Sequence, residues 1–256
     1  MKDDDRAPTA RFSNRVGFYA KYRPDYPPEA IETLKTEAGL RPTSIVADIG
    51  AGTGISTRLF LPHVAKVYAV EPNADMRAEA ELESWGDPKF VSVNGTAEAT
   101  TLPDHSVDFV AAATAFHWFR EDDARSEFHR ILNPEGLVIL MWNMPKMRNS
   151  PLVTAYEGLL QKYAVDYTPS LMSQNWNTPA ERFYGPGAYQ SRVADNFQEF
   201  DFEGLRGRLL SASYAPLPGH PNHDPVMVAL REVFDDLQKD GRVRFEYDTH
   251  VYWGKA

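Results

Sequence analysis

Three closely spaced glycines are the first candidates for chemistry in this sequence. Gly50, Gly52 and Gly54 follow an apolar run within the stretch VADIGAGTGIST at residues 46–57. A strand that stops at glycines and continues as a helix directs free backbone N–H groups at one point, and it lets a ligand approach the main chain closely. The stretch therefore predicts a loop that binds a nucleotide-like ligand.

An acidic residue lies at the end of the strand that is predicted after the glycine loop. Glu71 lies about twenty residues after the glycines, where a carboxylate can hold ribose hydroxyl groups. Dinucleotide-binding folds use G-x-G-x-x-G at the loop, but Ile55 occupies the position of the third glycine in that pattern. The loop and Glu71 together predict binding of an adenosine, and Ile55 disfavours a nicotinamide dinucleotide.

Strands and helices alternate along the chain and would hold this loop at the edge of a sheet. Helices are predicted at about 28–38, 55–64 and 121–132, the first one opened by two prolines. Mostly apolar stretches predict strands at 44–49, 66–70, 89–93, 107–113 and 137–142. The alternation indicates an α/β fold with a doubly wound, Rossmann-like, mostly parallel sheet.

The second half of the chain has a different composition. Residues from about 144 to 195 are rich in proline, asparagine, serine and aromatic residues, which predicts an inserted lid subdomain. A strand at 197–202, a helix at 224–241 and a last strand from Val243, apolar by alternation, predict an antiparallel C-terminal strand. We therefore expect a ligand-binding core with an N-terminal closing segment at 1–143, the lid subdomain at 144–195, and strands and helices completing the core at 196–256.

Composition and charge exclude several classes of function. The chain has no cysteine, so disulfides, zinc thiolate sites and cysteine nucleophiles are excluded, and a reducing cytoplasm is expected. The net charge is -9 and the 27 lysine and arginine residues form no basic stripe, which argues against nucleic acid as a partner. The acidic N-terminus is unlike a signal peptide, and no apolar run is long enough to span a membrane. We expect a cytoplasmic monomer or homodimer without a membrane partner.

Several separate stretches carry a resemblance to a known family. They are FYAKYRPDYP, VADIGAGTG, AVEPNADM, NGTAEATTLPDHSVDFV, TAFHWF and RILNPEG, together with RFEYDTHVYWG near the end. In these stretches the sequence resembles the class I S-adenosylmethionine-dependent methyltransferases, and among them the type 11 small-molecule group that includes trans-aconitate methyltransferase-like proteins. The resemblance implies the fold of that class, S-adenosylmethionine as methyl donor, S-adenosylhomocysteine as product, and no metal ion.

The resemblance also implies a donor site. The glycine loop would lie against the methionine and ribose part of the donor, while Asp48 would hold the loop and the donor ammonium group. Glu71 would bind the ribose, Met76 would pack on the adenine, and Arg23 would grip the donor carboxylate with its guanidinium. The implied donor site as a whole consists of Tyr19, Tyr22, Arg23, Asp48, Gly50, Ala51, Gly52, Gly54, Glu71, Pro72, Met76, Thr96, Ala97, Glu98, Thr114, Ala115 and Phe116.

The acceptor is expected beyond the fourth and fifth predicted strands, where the donor methyl group should point. His117 is the candidate base or acceptor contact there, since the ordinary pKa of histidine suits proton removal from a hydroxyl or amine. Trp118, Trp142 and Asn143 are the other expected pocket residues. The stretch TAFHWF lacks the Asn or Asp followed by Pro-Pro-Tyr of amino methyltransferases that act on nucleic acid bases. We therefore expect a small-molecule acceptor with a carboxylate, hydroxyl or amine.

Two other functions are compatible with the same residues. A sensor or scaffold that binds S-adenosylmethionine without catalysis would carry the same loop, because in-line methyl transfer needs no obligatory signature residue. A NAD(P)-dependent oxidoreductase is the less favoured alternative because of Ile55. Methyl transfer itself depends mainly on holding the acceptor atom about 3 Å from the methyl carbon and on excluding water.

Overall fold

A seven-stranded mixed sheet forms the centre of the protein. The computed structural model describes residues 16–165, 167 and 177–255. The strands are β1 Ile45–Ile49, β2 Lys66–Val70, β3 Phe90–Val93, β4 Val107–Ala113, β5 Leu132–Pro145, β6 Tyr189–Phe200 and β7 Val243–Gly254. Their order is β3-β2-β1-β4-β5-β7-β6, with β1 to β5 parallel and β7 antiparallel to both of its neighbours. This sheet confirms the predicted α/β fold with an antiparallel C-terminal strand.

Helices connect the strands and cover the sheet. Within the described residues they are α1 Val16–Tyr22, α2 Pro28–Glu37, α3 Ile55–Phe60, α4 Ala74–Glu83, α5 Glu121–Ile131, α6 Pro151–Tyr163, α7 Asn177–Tyr184, α8 Phe202–Leu210 and α9 His223–Leu237. The sequence pattern did not indicate α4, because only two of its residues, Met76 and Ala80, are buried. A helix that buries so little apolar surface shows little periodicity.

Burial on both faces explains the uninterrupted apolar strands. Val46 of β1 packs in one core cluster with Ile31 and Leu34 of α2, whereas Ala47 packs in the opposite cluster with Phe128 of α5. Parallel strands that are covered on both faces read as continuous apolar runs. The same arrangement brings the carboxyl ends of β1, β2, β4 and β5 to one edge of the sheet, where ligands bind in open α/β folds.

The fifth strand is longer than the predicted 137–142. At its start β5 includes 133–136 as an irregularity in the pairing, since Val107 pairs with Leu132 and Phe109 already pairs with Leu137. At its other end β5 continues to Pro145 because its last residues pair with β7. Both ends of β5 are therefore set by pairing with β4 and β7, which the local sequence of β5 does not indicate.

The sixth strand was predicted at 197–202 and instead occupies Tyr189–Phe200. It pairs with β7 along its whole length, but it is an edge strand whose side chains are mostly exposed, so the apolar alternation of a half-buried strand is missing. The strand ends before residue 202 because Asp201 accepts a hydrogen bond from the backbone N–H of Gly204 and caps α8.

Aromatic residues of the segment predicted as a lid pack into the core. Tyr156 of α6 meets the ring of Phe245 edge to face at 5.1 Å, in a cluster that α8 and α9 share. Phe183 of α7 is fully buried and lies 5.2 Å from the ring of Phe116. Residues 166 and 168–176 of this segment lie outside the described residues. The three-part division of the chain and the lid role stay predictions.

A glycine on α8 lets the N-terminal helix approach the tail. An added Cβ at Gly207 would lie 2.2 Å from Cε2 of Tyr22, so α1 could not sit where it does beside any larger residue. Arg23, the residue after Tyr22, donates from Nη2 to the carbonyl of Ser211 at 3.2 Å, just past the end of α8. The position of the segment that follows α1 therefore depends on this contact.

We expect Gly207→Ala to displace α1 from α8, because the new methyl group overlaps the ring of Tyr22. Alanine raises helix propensity by about 1 kcal/mol, so the melting temperature should change little, whereas tryptic cleavage after Lys21 should become several-fold faster. Gly158→Ala in α6 is the matched control, since a Cβ there meets no atom within 4 Å. Equal cleavage of the wild type and Gly207→Ala would contradict the role given to Gly207.

Candidate active site

A cavity of about 310 Å³ opens at the carboxyl edge of the parallel strands. It begins at the glycine loop after β1 and continues past the ends of β4 and β5. Most of the residues expected at a donor site come together here. The expected residues that line it are Tyr19, Arg23, Gly50, Ala51, Gly52, Glu71, Pro72, Met76, Thr96, Ala97, Glu98, Thr114, Ala115, Trp118 and Asn143.

The glycine loop has a conformation and a packing that side chains would prevent. Gly50 and Gly52 have φ values of 68° and 56°, in the left-handed region that glycine adopts most readily. A Cβ at Gly50 would lie 2.7 Å from Cβ of Ala115, so the loop and the end of β4 touch only because this residue is glycine. At Gly52 a Cβ would meet nothing within 4 Å, which leaves the backbone there open to a ligand.

Asp48 lies beneath the loop, fully buried at the end of β1. Its Oδ2 accepts hydrogen bonds from the hydroxyls of Ser56 and Thr57 at 2.7 and 2.6 Å, which ties β1 to the first turn of α3. Burial raises the pKa of Asp48 to about 6, although these hydrogen bonds oppose the rise. Asp48 does not line the cavity; its position fits the loop-holding role, while contact with a donor ammonium group stays a prediction.

Glu71 joins the glycine loop to the start of α4. Its Oε2 accepts a hydrogen bond from the backbone N–H of Gly52 at 3.0 Å, and its Oε1 accepts one from Asn73 at 2.9 Å. Burial raises the pKa of the carboxyl, and the two backbone hydrogen bonds oppose that rise. A carboxylate held this way at the cavity wall can accept hydrogen bonds from vicinal hydroxyl groups, as the spacing predicted.

Apolar and polar groups suited to a flat ring system line the cavity beyond Glu71. Met76 is 4% exposed and lies at the start of α4, whose N-terminus is capped by the side chain of Asn73. Thr96, Ala97 and Glu98 follow β3, and Oε1 of Glu98 accepts a hydrogen bond from the backbone N–H of Arg120 at 2.9 Å. This end therefore offers a thioether face and backbone edges to a ring.

The opposite end is built where β4 and β5 stop. Thr114 has a φ of 55°, which is strained for a β-branched residue, and its Oγ1 shares a hydrogen bond with the hydroxyl of Tyr26 at 2.9 Å. Nδ2 of Asn143 donates to the carbonyls of Pro24 and Asp25 at 3.4 and 3.2 Å. Strand ends thus fix the segment after α1 as one wall of the cavity.

Six expected site residues do not line the cavity. Asp48 and Gly54 lie below the loop, where Gly54 begins α3, and Tyr22 faces α8. Phe116 and Trp142 are 3% and 1% exposed and meet edge to face at 6.4 Å in the core. The structure therefore does not bring Trp142 to the cavity, because successive strand residues point to opposite faces and only its neighbour Asn143 lines it.

His117 lies next to the cavity, and its ring contacts that of Trp118 at 5.1 Å. Surrounding protein atoms, and after them the charge of Arg23, lower the pKa of His117 below its ordinary value. The residue is nevertheless exposed to solvent, so water limits that decrease. Its imidazole is neutral at pH 7, which is the form that can accept a proton.

Several residues of the cavity wall were not among the predicted site residues. They are Pro24, Tyr26, Ile55, Ser56, Asn73, Ala113, Phe119, Arg120 and Arg208. Most of them neighbour a predicted residue in sequence and could have been found from it. Arg208 is different, because it comes from α8 in the tail and no spacing relates it to the glycine loop.

The fold and the cavity are those of an α/β protein with a candidate ligand site at the carboxyl edge of its sheet. Residues 47–140 match the protein family described as "Methyltransferase domain". An uncharacterized methyltransferase-like protein of Schizosaccharomyces pombe is 34% identical over 180 residues, which are 69% of this chain and 66% of that protein. An uncharacterized methyltransferase of Mycobacterium tuberculosis is 40% identical over 132 residues, 52% of this chain and 51% of that protein.

Solved structures show the same fold. A candidate type II methyltransferase of Anaeromyxobacter dehalogenans has a TM-score of 0.67 at 20% identity, covering 91% of this chain and 98% of its own. An S-adenosylmethionine-dependent methyltransferase of Aquifex aeolicus has a TM-score of 0.53 at 16% identity, covering 99% and 96%. The aligned part of the chain spans between half and two thirds of the length of the two relatives above. The chain therefore carries a match to the methyltransferase domain family over residues 47–140 and shares its fold with methyltransferases of known structure.

Asp48→Asn should alter the pH dependence of stability. The folded-state pKa of about 6 lies above the ordinary 3.8, so the ionised carboxylate destabilises the native state, fully above pH 6 and not at all well below pH 4. Asparagine has no such titration. The unfolding free energy of Asp48→Asn minus that of the wild type should therefore rise by up to about 3 kcal/mol between pH 4 and pH 7. Urea denaturation across this range measures it.

Asp236→Asn, at an exposed aspartate of α9, is the control for this series. Its difference from the wild type should stay nearly constant with pH. A constant difference for Asp48→Asn as well would show that the buried carboxyl titrates like an exposed one.

Proposed function

We propose that the protein transfers a methyl group from S-adenosylmethionine to a small-molecule acceptor by in-line displacement. The observation that carries this proposal is the continuity of one cavity from the glycine loop and Glu71 to Thr114 and Asn143. The donor sulfonium supplies an electrophilic methyl carbon, to which an acceptor lone pair bonds as the sulfur keeps the electron pair of its broken bond. No metal ion enters this reaction.

The residues present fit such a donor. Gly50 leaves no side chain between the loop and the end of β4, and both oxygens of Glu71 are already oriented by backbone N–H groups. Met76 offers an apolar surface where an adenine would lie. The roles of these residues toward the donor are part of the proposal, as is the role of Arg23 toward the donor carboxylate.

Proton removal is needed for only some acceptors. A carboxylate is ionised at pH 7, whereas a hydroxyl or an amine must lose a proton during transfer. We assign that step to His117, because the residue is the neighbour of the cavity residue Trp118 and its imidazole is neutral at pH 7.

We propose that the protein acts in the cytoplasm as a monomer or homodimer, without nucleic acid or a membrane as partner. The absence of cysteine and the net charge of -9 support these expectations. In the part of the chain that the structure describes, no helix combines the length and the apolar character needed to cross a bilayer.

Glu71→Gln should weaken binding of S-adenosylhomocysteine about 10- to 100-fold, because hydrogen bonds to a charged group contribute roughly 1.5–3 kcal/mol. Calorimetry measures the affinity, and transfer of a labelled methyl group to the metabolites, RNA and protein of one cell extract measures activity. We expect label in the metabolite fraction with the wild type and a strong loss with Glu71→Gln. Glu83→Gln, at an exposed residue that ends α4, should match the wild type.

The other outcomes separate the alternatives. Label in RNA or protein would overturn the acceptor class and keep the donor site. Binding of S-adenosylhomocysteine without any transfer would favour a sensor or scaffold. Energy transfer from tryptophan to bound reduced nicotinamide, in a protein that does not bind S-adenosylhomocysteine, would favour an oxidoreductase.

His117→Gln should lower kcat by at least about 100-fold for a hydroxyl or amine acceptor and leave a carboxylate acceptor unaffected. The base must be unprotonated, so the wild-type rate should fall on the acidic side, and the lowered pKa of His117 places that fall below pH 6.5. The pH profile of kcat measures it. His129→Gln, at an exposed histidine of α5, is the control, and an unchanged acidic limb in His117→Gln would contradict the assignment.

A further inference from the structure

Arg208 is a buried guanidinium at the cavity wall. The residue is 4% exposed, and its Nε donates to the hydroxyl of Tyr247 at 2.9 Å. The rings of Phe245 and Tyr247 lie 5.4 and 5.8 Å from its guanidinium carbon. Its Nη1 is buried and has no hydrogen-bond partner among the described residues. The guanidinium is thus held by Tyr247 through Nε and lies against two aromatic rings, while its Nη1 is unsatisfied.

A second arginine reaches the same end of the cavity. Arg23 lines the cavity as well, and its buried Nε has no hydrogen-bond partner among the described residues. Nη2 of Arg23 donates to the carbonyl of Ser211, three residues after Arg208 in the chain, so both arginines lie beside the end of α8. Between residues 16 and 255, in the described ranges, neither arginine forms a salt bridge.

Unpaired buried charge is strongly unfavourable, because the lost hydration is not replaced. Proteins ordinarily pair such groups with a carboxylate or leave them in water. Arg208 has neither, yet it lines a cavity of about 310 Å³ that reaches solvent at the sheet edge. A negatively charged group of a ligand in this cavity would supply the missing partner.

The strand order locates this group relative to the donor. Glu71 follows β2, Thr114 follows β4, and Tyr247, which holds Arg208, lies on β7 opposite Pro145 of β5. Neighbouring strands are about 4.8 Å apart and β5 lies between β4 and β7, so Tyr247 lies about 10 Å from β4 across the sheet. Arg208 is therefore on the far side of the cavity from the ribose site, where the proposed acceptor would lie.

We propose that Arg208 forms a carboxylate-binding subsite for the acceptor. The acceptor then carries a carboxylate that hydrogen-bonds to Nη1 of Arg208 and that is separate from the atom receiving the methyl group. This inference rests on the proposed function and adds to it the charge of the substrate. Tyr247 is the positioning residue that orients the guanidinium through Nε.

Acetate, a small carboxylate without any other polar group, tests the subsite without knowledge of the acceptor. The wild type is saturated with S-adenosylhomocysteine, which brings its own carboxylate, and acetate is then titrated at constant ionic strength with acetamide as the uncharged equivalent. Acetate at about 100 mM should raise the melting temperature by about 2–4 °C, and acetamide should not. Arg208→Gln should lose the acetate effect and bind S-adenosylhomocysteine like the wild type.

Arg206→Gln is the matched control, because Arg206 lies on the exposed side of the same helix in a salt bridge with Glu203. It should keep the acetate effect. Arg208→Met is the second variant, in case glutamine at this buried position impairs folding. Replacement of an unpaired buried charge by an apolar residue is often neutral or stabilising, so its melting temperature without ligand should equal or exceed that of the wild type.

An acetate effect that is absent from the wild type, or that persists in the Arg208 variants, would overturn the subsite. A different result would assign the guanidinium to the donor: S-adenosylhomocysteine would abolish the acetate effect, and Arg208→Gln would weaken its binding at least tenfold. A wild type that does not bind S-adenosylhomocysteine would overturn the proposed function alone. Acetate titration of the free protein would then still decide whether Arg208 binds a carboxylate.

Discussion

The close approach of the glycine loop to the end of β4 is the constraint on which the cavity depends. Gly50 and Ala115 come so near that a single added Cβ would overlap, at 2.7 Å. This contact places the loop against the end of β4. That strand is a neighbour of β1 in the sheet, although β2 is the strand that follows β1 in the chain. The backbone of Gly52 then faces the cavity. The N–H of Gly52 donates a hydrogen bond to Glu71, which fixes the loop in this position. Any larger residue at position 50 would move the loop and close the space beside it.

Charge is distributed unevenly along the cavity. Asp48 and Glu71 lie at the β1 and β2 side, and burial raises the pKa of both carboxyl groups. Arg23 and Arg208 lie at the β5 and β7 side with unsatisfied buried nitrogens. Such opposed ends would orient the proposed donor with its ribose hydroxyls at Glu71 and its carboxylate at Arg23, and the proposed acceptor with its carboxylate at Arg208. The low stability expected of unpaired buried charges is a cost that ligand binding offsets.

Segments from both ends of the chain complete the end of the cavity that contains Arg23 and Arg208. Gly207 allows α1 to lie against α8, and the same helix carries Arg208 one residue later. Arg23 reaches the carbonyl of Ser211, while Asn143 at the end of β5 holds the segment just after Arg23. This end of the cavity is therefore assembled from three distant parts of the chain, whereas the end at the glycine loop and Glu71 is made largely by consecutive loops of the core.

Local sequence determined the donor half of this protein. Continuous apolar strands, glycines at fixed spacing and an acid at the next strand end are all short-range signals, and they predicted β2 and β4 to the residue as well as the positions of Glu71 and the glycine loop. Only the tertiary structure decided the acceptor half. The bounds of β5 and β6 depend on pairing with β7, and Trp142 faces the core while Asn143 faces the cavity. Arg208 became a candidate only when α8 packed against the far edge of the sheet, because burial and the lack of a partner are properties of the folded chain.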